Sequence, residues 1–554
     1  MAEAKKQNFM YGAAILAAGV VIMKILGMLY KVPLQNILGD TGYGYFNAAY
    51  SVYNVLLTVS TAGLPVALSR MISEANTLER PRQAQRTFRI ALVVLTALGA
   101  LLSLLMFLFP TDMAVLMVHQ PAVSQCIYAL SPAVLLVCVT SAFRGYIQGC
   151  GNMTPTTVSQ VLEVLVKVIV GLALAVWMTR QHRSLPQSSA GAIFGVTAGS
   201  LAALLYILLY YLRHYRAAGT EAARLVGDTP EDVGRTLAMF VKIGVVITLG
   251  ASVMSLISLI DTNLIERQLP QVPGIGPALA NELYGCYSAV QTLYNLPASF
   301  ITPMTISVVP AIAAAAAQRD AREVGNISES GLRISAVVAI PMGVGLGVLS
   351  DPIVGILYPR TNPAGPTLLS LLSIASVFVC IALVTNAILQ ASGDERMPIF
   401  SMIVGGAVKI GANLLLVGRP EINILGAALG TVACYVVICV MNCVFIYRRL
   451  EVKPSYARAF LRPLLSAAVM GVSAWAVYGL LSRLLRVPSF AAMSALRAHG
   501  ESVARLPMLL AMVVSIGVAV VVYLVMVIVT HSVTMEDMKL IPKGEKIARI
   551  LHIR

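Results

Sequence analysis

The sequence predicts an all-α polytopic membrane protein with fourteen transmembrane helices, laid out as two parallel repeats of six helices plus two helices at the C-terminal end. Three observations carry this reading. First, of 554 residues 58% are hydrophobic and only 12% charged, and the mean hydropathy is +0.81; soluble domains carry about 25% charge. Second, the chain divides into apolar segments near the ~20 residues that a helix needs to cross hydrocarbon. Third, spacings found in the first half return in the second, in the same order.

The segments fall near 9–30, 45–69, 89–110, 122–148, 155–178, 190–212, 237–264, 283–312, 331–350, 366–391, 398–418, 424–447, 463–482 and 508–530. The repeat is visible residue by residue. Tyr43-Gly44 followed by Tyr53-Asn54 returns as Tyr284-Gly285 followed by Tyr294-Asn295. Gln148, Gly151 and Pro155 return as Gln390, Gly393 and Pro398, with one residue inserted. Val166-Lys167-Val168 returns as Val408-Lys409-Ile410, and Gly191-Ala-x-x-Gly195 as Gly426-Ala-x-x-Gly430. The implied organisation is an N-terminal lobe over 1–216, a cytoplasmic linker over 217–236, a C-terminal lobe over 237–450, and a last pair of spans with a basic tail over 451–554. Parallel repeats of this kind are an architecture of alternating-access transporters. The loop 483–507, with Arg483, Arg486, Arg497 and Arg505 among apolar residues, is either an interfacial helix or a plain loop.

Charge sets the expected orientation. With the N-terminus inside, Lys and Arg concentrate in the loops 70–89, 213–235 and 448–462 and in the C-terminal tail, all on one side. That is the positive-inside pattern, and it places both termini in the cytoplasm. The net charge of +15 is then membrane-surface charge, and nucleic-acid binding is excluded. The N-terminal apolar stretch is too long for a signal peptide and reads as a span that stays. The eight cysteines show no CxxC spacing and no histidine partner, so they read as small core residues. There is no phosphate-binding glycine loop, no metal-ligand set and no nucleophile–base pair. The expectation is therefore a non-enzyme without cofactors. Gly343-x-Gly345-x-Gly347 lies within a span and reads as a packing surface.

The informative residues are charges placed where hydrocarbon is expected. An ionisable group at a bilayer centre costs about 2.5–3.5 kcal/mol on insertion scales. Lys24, Arg144, Lys167, Lys242 and Lys409 lie inside spans, against only Glu163 and Asp261. Gln160, Glu163 and Lys167 share a helix face. Two readings stand for them: a self-neutralised Glu163–Lys167 pair, or an ammonium facing a cavity and tuned by Glu163. Lys409 occupies the repeat-equivalent place with Gly405 instead of an acid four residues earlier, which favours the cavity. Lys24 has no acid at i±4 and also suits a cavity, with snorkelling to an interface as the alternative. Arg144, one turn before the end of its span, either snorkels or bonds the adjoining 149–155 turn, or touches substrate. Lys242 reads as a snorkelling residue. Arg70 and Glu74, one turn apart, read as a cavity mouth or an interfacial pair, and Arg333 stays equally open. Asp261, beside Asn263, is a capping residue, a partner for a lysine of the other half, or an ion-coupling site. The excess of cations suits an anionic, phosphate-bearing head group.

Three stretches carry a resemblance over nearly the whole chain. They are Gly27-Met-Leu-Tyr-Lys-Val-Pro33-Leu, Leu38-Gly-Asp-x-Gly-Tyr-Gly-Tyr-Phe46 and Gly63-Leu-Pro65-x-Ala-Leu-Ser-Arg70. With Arg144-Gly-Tyr-x-Gln148-Gly, the Pro155 to Lys167 run and Leu259-Ile-Asp261-Thr, the sequence resembles the polysaccharide-export branch of the MATE-like (MOP) flippases. Within it, the likeness is to the stage V sporulation protein B group, which includes MurJ-type lipid II flippases. The resemblance implies a two-lobed transporter whose central cationic cavity takes an undecaprenyl-linked diphosphate-sugar head group, with the last two spans forming a groove for the lipid tail. It places Lys24, Arg144, Glu163, Lys167 and Asp261 in cavity-lining motifs. One departure is that 284–312 has no basic residue, with Gln291 and Asn295 as its amide-bearing polar residues; Lys409 and Arg333 are the candidates to substitute. The function implied is inner-to-outer translocation of a lipid II-like precursor, driven by membrane potential or coupled to Na+ or H+ through Glu163 or Asp261. The partners implied are membrane lipids and the cell-wall synthesis or sporulation machinery. Alternatives are another lipid-linked oligosaccharide, a cation-coupled multidrug antiporter of the same fold, or a non-transporting scaffold.

Overall fold

The computed structural model describes residues 9–217, 228–318, 320–394, 396–490, 492–493 and 505–533. Lys5, Lys6, the basic tail beyond 533, the 218–227 part of the expected linker, and Arg497 lie outside the described residues. Everything regular within them is helical, with no strand, as hydrocarbon requires of a chain that must bond its own backbone.

Seventeen α-helices follow one another among the described residues: α1 (Phe9–Thr61), α2 (Leu64–Thr77), α3 (Pro81–Leu108), α4 (Pro110–Val118), α5 (Ser124–Gly149), α6 (Thr154–Arg180), α7 (Leu185–His214), α8 (Val233–Gln268), α9 (Pro277–Tyr294), α10 (Leu296–Ala317), α11 (Ala321–Val348), α12 (Ser350–Leu357), α13 (Gly365–Ala391), α14 (Arg396–Leu416), α15 (Leu425–Arg449), α16 (Tyr456–Leu484) and α17 (Arg505–Val529). Many open with proline in the first turn, among them α3, α4, α6, α7, α9 and α13. There the missing N–H costs nothing and the fixed φ is already helical.

Twelve stretches are helical, long and apolar enough to cross a membrane among the described residues. The difference from fourteen predicted segments has two sources. The first segment and most of the second lie in the single 53-residue α1, which is broken only at Gly39 (φ 69°, ψ 178°). The eighth is divided between α9 and α10 at Asn295.

The chain forms two compact units, Met1–Arg267 and Gln268–Arg554. Helix α8, read from sequence as the first span of the second repeat, is therefore packed with the first unit. Several bonds hold it there. Gln83 Nε2 donates to Thr236 Oγ1 (3.3 Å), Thr58 and Ser255 share a hydroxyl bond (2.9 Å), and Asn263 Nδ2 donates to the Met117 carbonyl (2.8 Å). At its far end Gln120 Nε2 donates to Glu266 Oε2 (2.7 Å).

The repeated spacings have repeated geometry. Gly151 and Gly393 both sit in the left-handed region, at φ 83° and 85°, where L side chains are strained. Each is followed by a polar residue that ties the turn to the end of the repeat's last helix. Asn152 Nδ2 donates to Tyr210 Oη (3.3 Å), and Asp394 pairs with Arg449 at 2.7 Å.

Candidate functional site

In the first unit, Lys167 of α6 points at two aromatic rings. Its Nζ is 5.9 Å from the centre of Tyr30 and 6.0 Å from that of Tyr50. These rings come from the two limbs of α1, on either side of Gly39. Tyr30 is fixed by its hydroxyl, which donates to the Ala192 carbonyl at 3.0 Å. Tyr50 is held in a ladder of rings: Tyr30–Phe46 at 6.0 Å, Phe46–Tyr50 at 6.0 Å and Tyr50–Tyr53 at 5.7 Å. Ring faces attract an ammonium by about 0.5–1 kcal/mol at exposed sites and more when desolvated.

Lys31 follows Tyr30 in α1 and lies within electrostatic reach of Lys167, and Lys24 within reach of Lys31. None of the three is paired with a carboxylate among the described residues. Like charges that feel one another repel, the more so the less water lies between them. A bound dianion relieves that repulsion and replaces lost water with charge-assisted hydrogen bonds.

Glu163 does not neutralise Lys167. It is taken by Arg144 instead, whose Nη2 lies 2.9 Å from Glu163 Oε2. Arg144 is buried and also donates to Ser159 Oγ from Nε (3.2 Å) and Nη2 (2.8 Å), while Ser159 Oγ donates to the Ala203 carbonyl (3.3 Å). The i, i+4 spacing does put Glu163 and Lys167 on one face of α6, but the neighbouring helix α5 brings a guanidinium that claims the carboxylate. The self-neutralised pair expected as one reading is thus corrected. Arg144 bonds to α6 and not to the adjoining turn. Gln160 is half-buried and makes no side-chain hydrogen bond among the described residues.

Within this group Lys24 is the exposed member. The remaining expected residues lie outside it: Arg70 and Glu74 are both exposed on α2 with no ion pair joining them. Asp261 is buried in α8, with neighbouring Asn263 bonded to the end of α4. In the second unit Lys409 is buried in α14, and Arg333 is matched on its own helix by Glu329 at 3.3 Å. Glu329 also accepts from the Ser455 backbone N–H at 2.9 Å, so Arg333 is part of a helix–loop brace.

Sequence reasoning missed Lys31, Tyr30 and Tyr50. Hydropathy ends the first span at residue 30 and leaves Lys31 outside it, whereas α1 continues through Pro33 to Gly39. The available signal was the seven-residue step from Lys24 to Lys31, two helical turns on one face.

The second unit also contains an apolar pocket of about 420 Å³ walled by α11, α16 and α17, with Gly345, Met470, Ala519 and Tyr523 in its lining. Gly343 and Gly347 of the glycine run face Val377 and Ser373 of α13, as the packing reading expects, while Gly345 has open space before it.

Comparisons with known proteins agree with this description. The family described as polysaccharide biosynthesis protein matches residues 9–316. Among curated proteins of Bacillus subtilis (strain 168), the chain is 28% identical over 438 residues to the uncharacterized membrane protein YabM, covering 79% of this chain and 80% of that one. It is 24% identical to stage V sporulation protein B, covering 82% and 87%, and 23% identical to lipid II flippase MurJ, covering 76% and 80%. Among solved structures, lipid II flippase MurJ in an inward closed conformation superposes with a TM-score of 0.65 at 13% identity, covering 93% of this chain and 98% of that chain. An inward-facing multidrug resistance MATE transporter of the MOP superfamily gives 0.61 at 14% identity, covering 81% and 98%. A helical chain with this repeat, this fold and a match over residues 9–316 belongs to the polysaccharide biosynthesis protein family, with the fold of the MOP-superfamily transporters.

Proposed function

We propose that this protein is a flippase that carries an undecaprenyl-diphosphate-linked cell-wall precursor, of lipid II type, from the inner to the outer leaflet by alternating access. The observation that carries the reading is the group Lys24, Lys31 and Lys167, none matched by a carboxylate, while the nearby Glu163 is held by Arg144. An antiporter for cationic drugs needs the reverse balance. The apolar pocket walled by α11, α16 and α17 suits a polyprenyl tail. The relatives named as a lipid II flippase and a sporulation protein support the same class of substrate.

In this reading the chain crosses the bacterial plasma membrane fourteen times, α1 and the α9–α10 pair supplying the crossings beyond the twelve, and both termini are cytoplasmic. With the cell interior negative, each net negative charge carried outward gains about 2.3 kcal/mol per 100 mV. Membrane potential therefore suffices as the drive. Lys31 and Lys167 attract the diphosphate, and Tyr30 and Tyr50 hold the Lys167 ammonium in place while the site is empty.

The test is reconstitution in vesicles of set potential with a fluorescent lipid II. Translocation should be lost when Lys24, Lys31 and Lys167 are changed to Gln together. Translocation indifferent to that triple change overturns the proposal. Running a teichoic-type diphosphate precursor in parallel decides the sugar.

A further inference from the structure

A second apolar pocket, of about 400 Å³, lies in the second unit on the other side of α11. Its walls include Val344 of α11, Val377 and Phe378 of α13, Cys439 of α15, and Phe460 and Leu464 of α16. It has no charged residue in its lining. Beyond Phe460 a column of rings follows the seam where the end of α15 meets the start of α16. Phe460 stacks on Tyr456 (centroids 6.3 Å, interplanar 12°), and Tyr456 adjoins Tyr447 at 6.5 Å. Lys453 Nζ caps the column, 4.5 Å above the Tyr447 ring. Tyr456 is pinned by its hydroxyl, which donates to the Cys443 carbonyl at 2.6 Å.

From pocket to tip, this seam has the polarity profile of half a bilayer. The inner end is hydrocarbon, the middle is aromatic, and the tip is cationic. Tyrosines take the interfacial position in membrane proteins, and an apolar pocket facing hydrocarbon loses its contacts unless a chain fills it. Lys453 at the tip and Arg448, next in sequence to Tyr447, are exposed and neither has an ion-pair partner among the described residues, whereas the adjacent Arg449 is spent on Asp394. Glu451, the acid in the same loop, is exposed and pairs with neither.

We propose that this seam binds one anionic glycerophospholipid, with an acyl chain in the pocket lined by Cys439, Phe460 and Leu464 and the phosphate at Lys453 and Arg448. The site is separate from the lysine group of the first unit and does not depend on which substrate is carried; only its assignment to the inner leaflet rests on the topology proposed above.

The experiment uses the full-length protein in nanodiscs. Trp177 and Trp475, the two native tryptophans, are replaced by Phe, and Phe460→Trp places a reporter in the pocket. Phosphatidylglycerol with brominated chains should quench the reporter at lower mole fraction than brominated phosphatidylcholine. Removing the tip charges with Lys453→Gln and Arg448→Gln should erase the preference, at about fivefold per basic side chain. Equal quenching by the two lipids in the unaltered tip overturns the proposal. So does displacement of brominated phosphatidylglycerol by undecaprenyl phosphate at equal mole fraction, which makes the seam a polyprenyl site. Should Phe460→Trp fail to fold, native mass spectrometry of the unaltered chain decides instead. Retained phosphatidylglycerol adducts that Lys453→Gln and Arg448→Gln remove support the site, and adducts indifferent to those changes overturn it.

Discussion

The stretch from Arg144 to Lys167 and its twin from Asn386 to Lys409 share a turn and a lysine but not the charges around them. Counting four back from the shared glutamine gives Arg144 in one and Asn386 in the other; counting four back from the shared lysine gives Glu163 and Gly405. The serine eight before the lysine, Ser159 or Ser401, is buried in both. In the first unit these positions form the Arg144–Ser159–Glu163 network. In the second, Asn386 accepts from Asn442 Nδ2 at 2.7 Å, Thr385 Oγ1 accepts from the same amide at 3.0 Å, and no charge is left in the set. An ion pair has thus been replaced as a pair, both partners together. That is what burial demands, because a single partner left behind costs far more than the pair is worth.

The reason Glu163 has no counterpart is steric as well as electrostatic. A Cβ added at Gly405 would lie 2.5 Å from Ile438 Cγ1 and 3.0 Å from the Cys434 carbonyl. In the first unit the small residue is on the opposite helix: a Cβ on Gly199 of α7 would collide with the Glu163 carbonyl. Each repeat keeps one glycine at this crossing, on α7 in one and on α14 in the other.

Four changes break or sharpen this comparison, in falling order of effect. Gly405→Glu forces a carboxylate into the α14–α15 contact with no guanidinium opposite. It should cost about 3–5 kcal/mol, read as loss of the monodisperse folded peak or a large fall in Tm in detergent. Glu163→Gln leaves Arg144 buried without its anion. Since Glu163 is 23% exposed, the cost should be nearer ~2 kcal/mol, and adding Arg144→Gln should recover part of it; a double-mutant cycle in thermal unfolding measures the coupling. Changing Lys31 and Lys167 to Gln should leave Tm unchanged or raised while lipid II translocation falls about tenfold or more, since like charges are removed from the fold and the anion loses its partners. Tyr50→Leu removes one ring from Lys167 and should slow translocation by about two- to fivefold, the equivalent of about 0.5–1 kcal/mol.

A fifth measurement probes the turns without disturbing them. Burial, partly offset by the Asn76 amide, pushes the Cys150 thiol up to about 11; its twin is Ser392, which bonds the Ile388 carbonyl at 2.8 Å. Below the ordinary value near 9 the thiol is neutral whether folded or unfolded, and its stabilising effect is whole. As pH rises from about 9 through 11, the unfolded thiol ionises first and stability falls. Maleimide labelling of Cys150 at pH 8 should therefore be slow in the folded protein and rise sharply when the 149–154 turn opens.

Much of this was readable from residue spacing. The Gly151 and Gly393 turns, the paired lysines and the small-residue contacts at Gly195 and Gly430 all follow from local pattern, because turn backbone and helix periodicity are local properties. The pairing of Glu163 was not readable. Periodicity within α6 offers Lys167, and only the packing of α5 against α6 reveals that Arg144 reaches the carboxylate first. Lys31 was lost for a related reason: hydropathy ends a span at a charge and a proline, whereas the helix ends where the backbone turns, at Gly39. The placement of α8 with the first unit was equally beyond reach, since repeat arithmetic records order along the chain and not where each helix packs.

The exchanged glycines constrain how two such repeats can diverge. To move the small residue from one helix to the other, two positions must change, and the order matters. A chain with glycine at both positions loses a few contacts and remains closed. A chain with bulky residues at both cannot bring the helices together. The passable intermediate is therefore the doubly small one, and a carboxylate can appear at the position of Glu163 only after the facing helix has yielded its side chain.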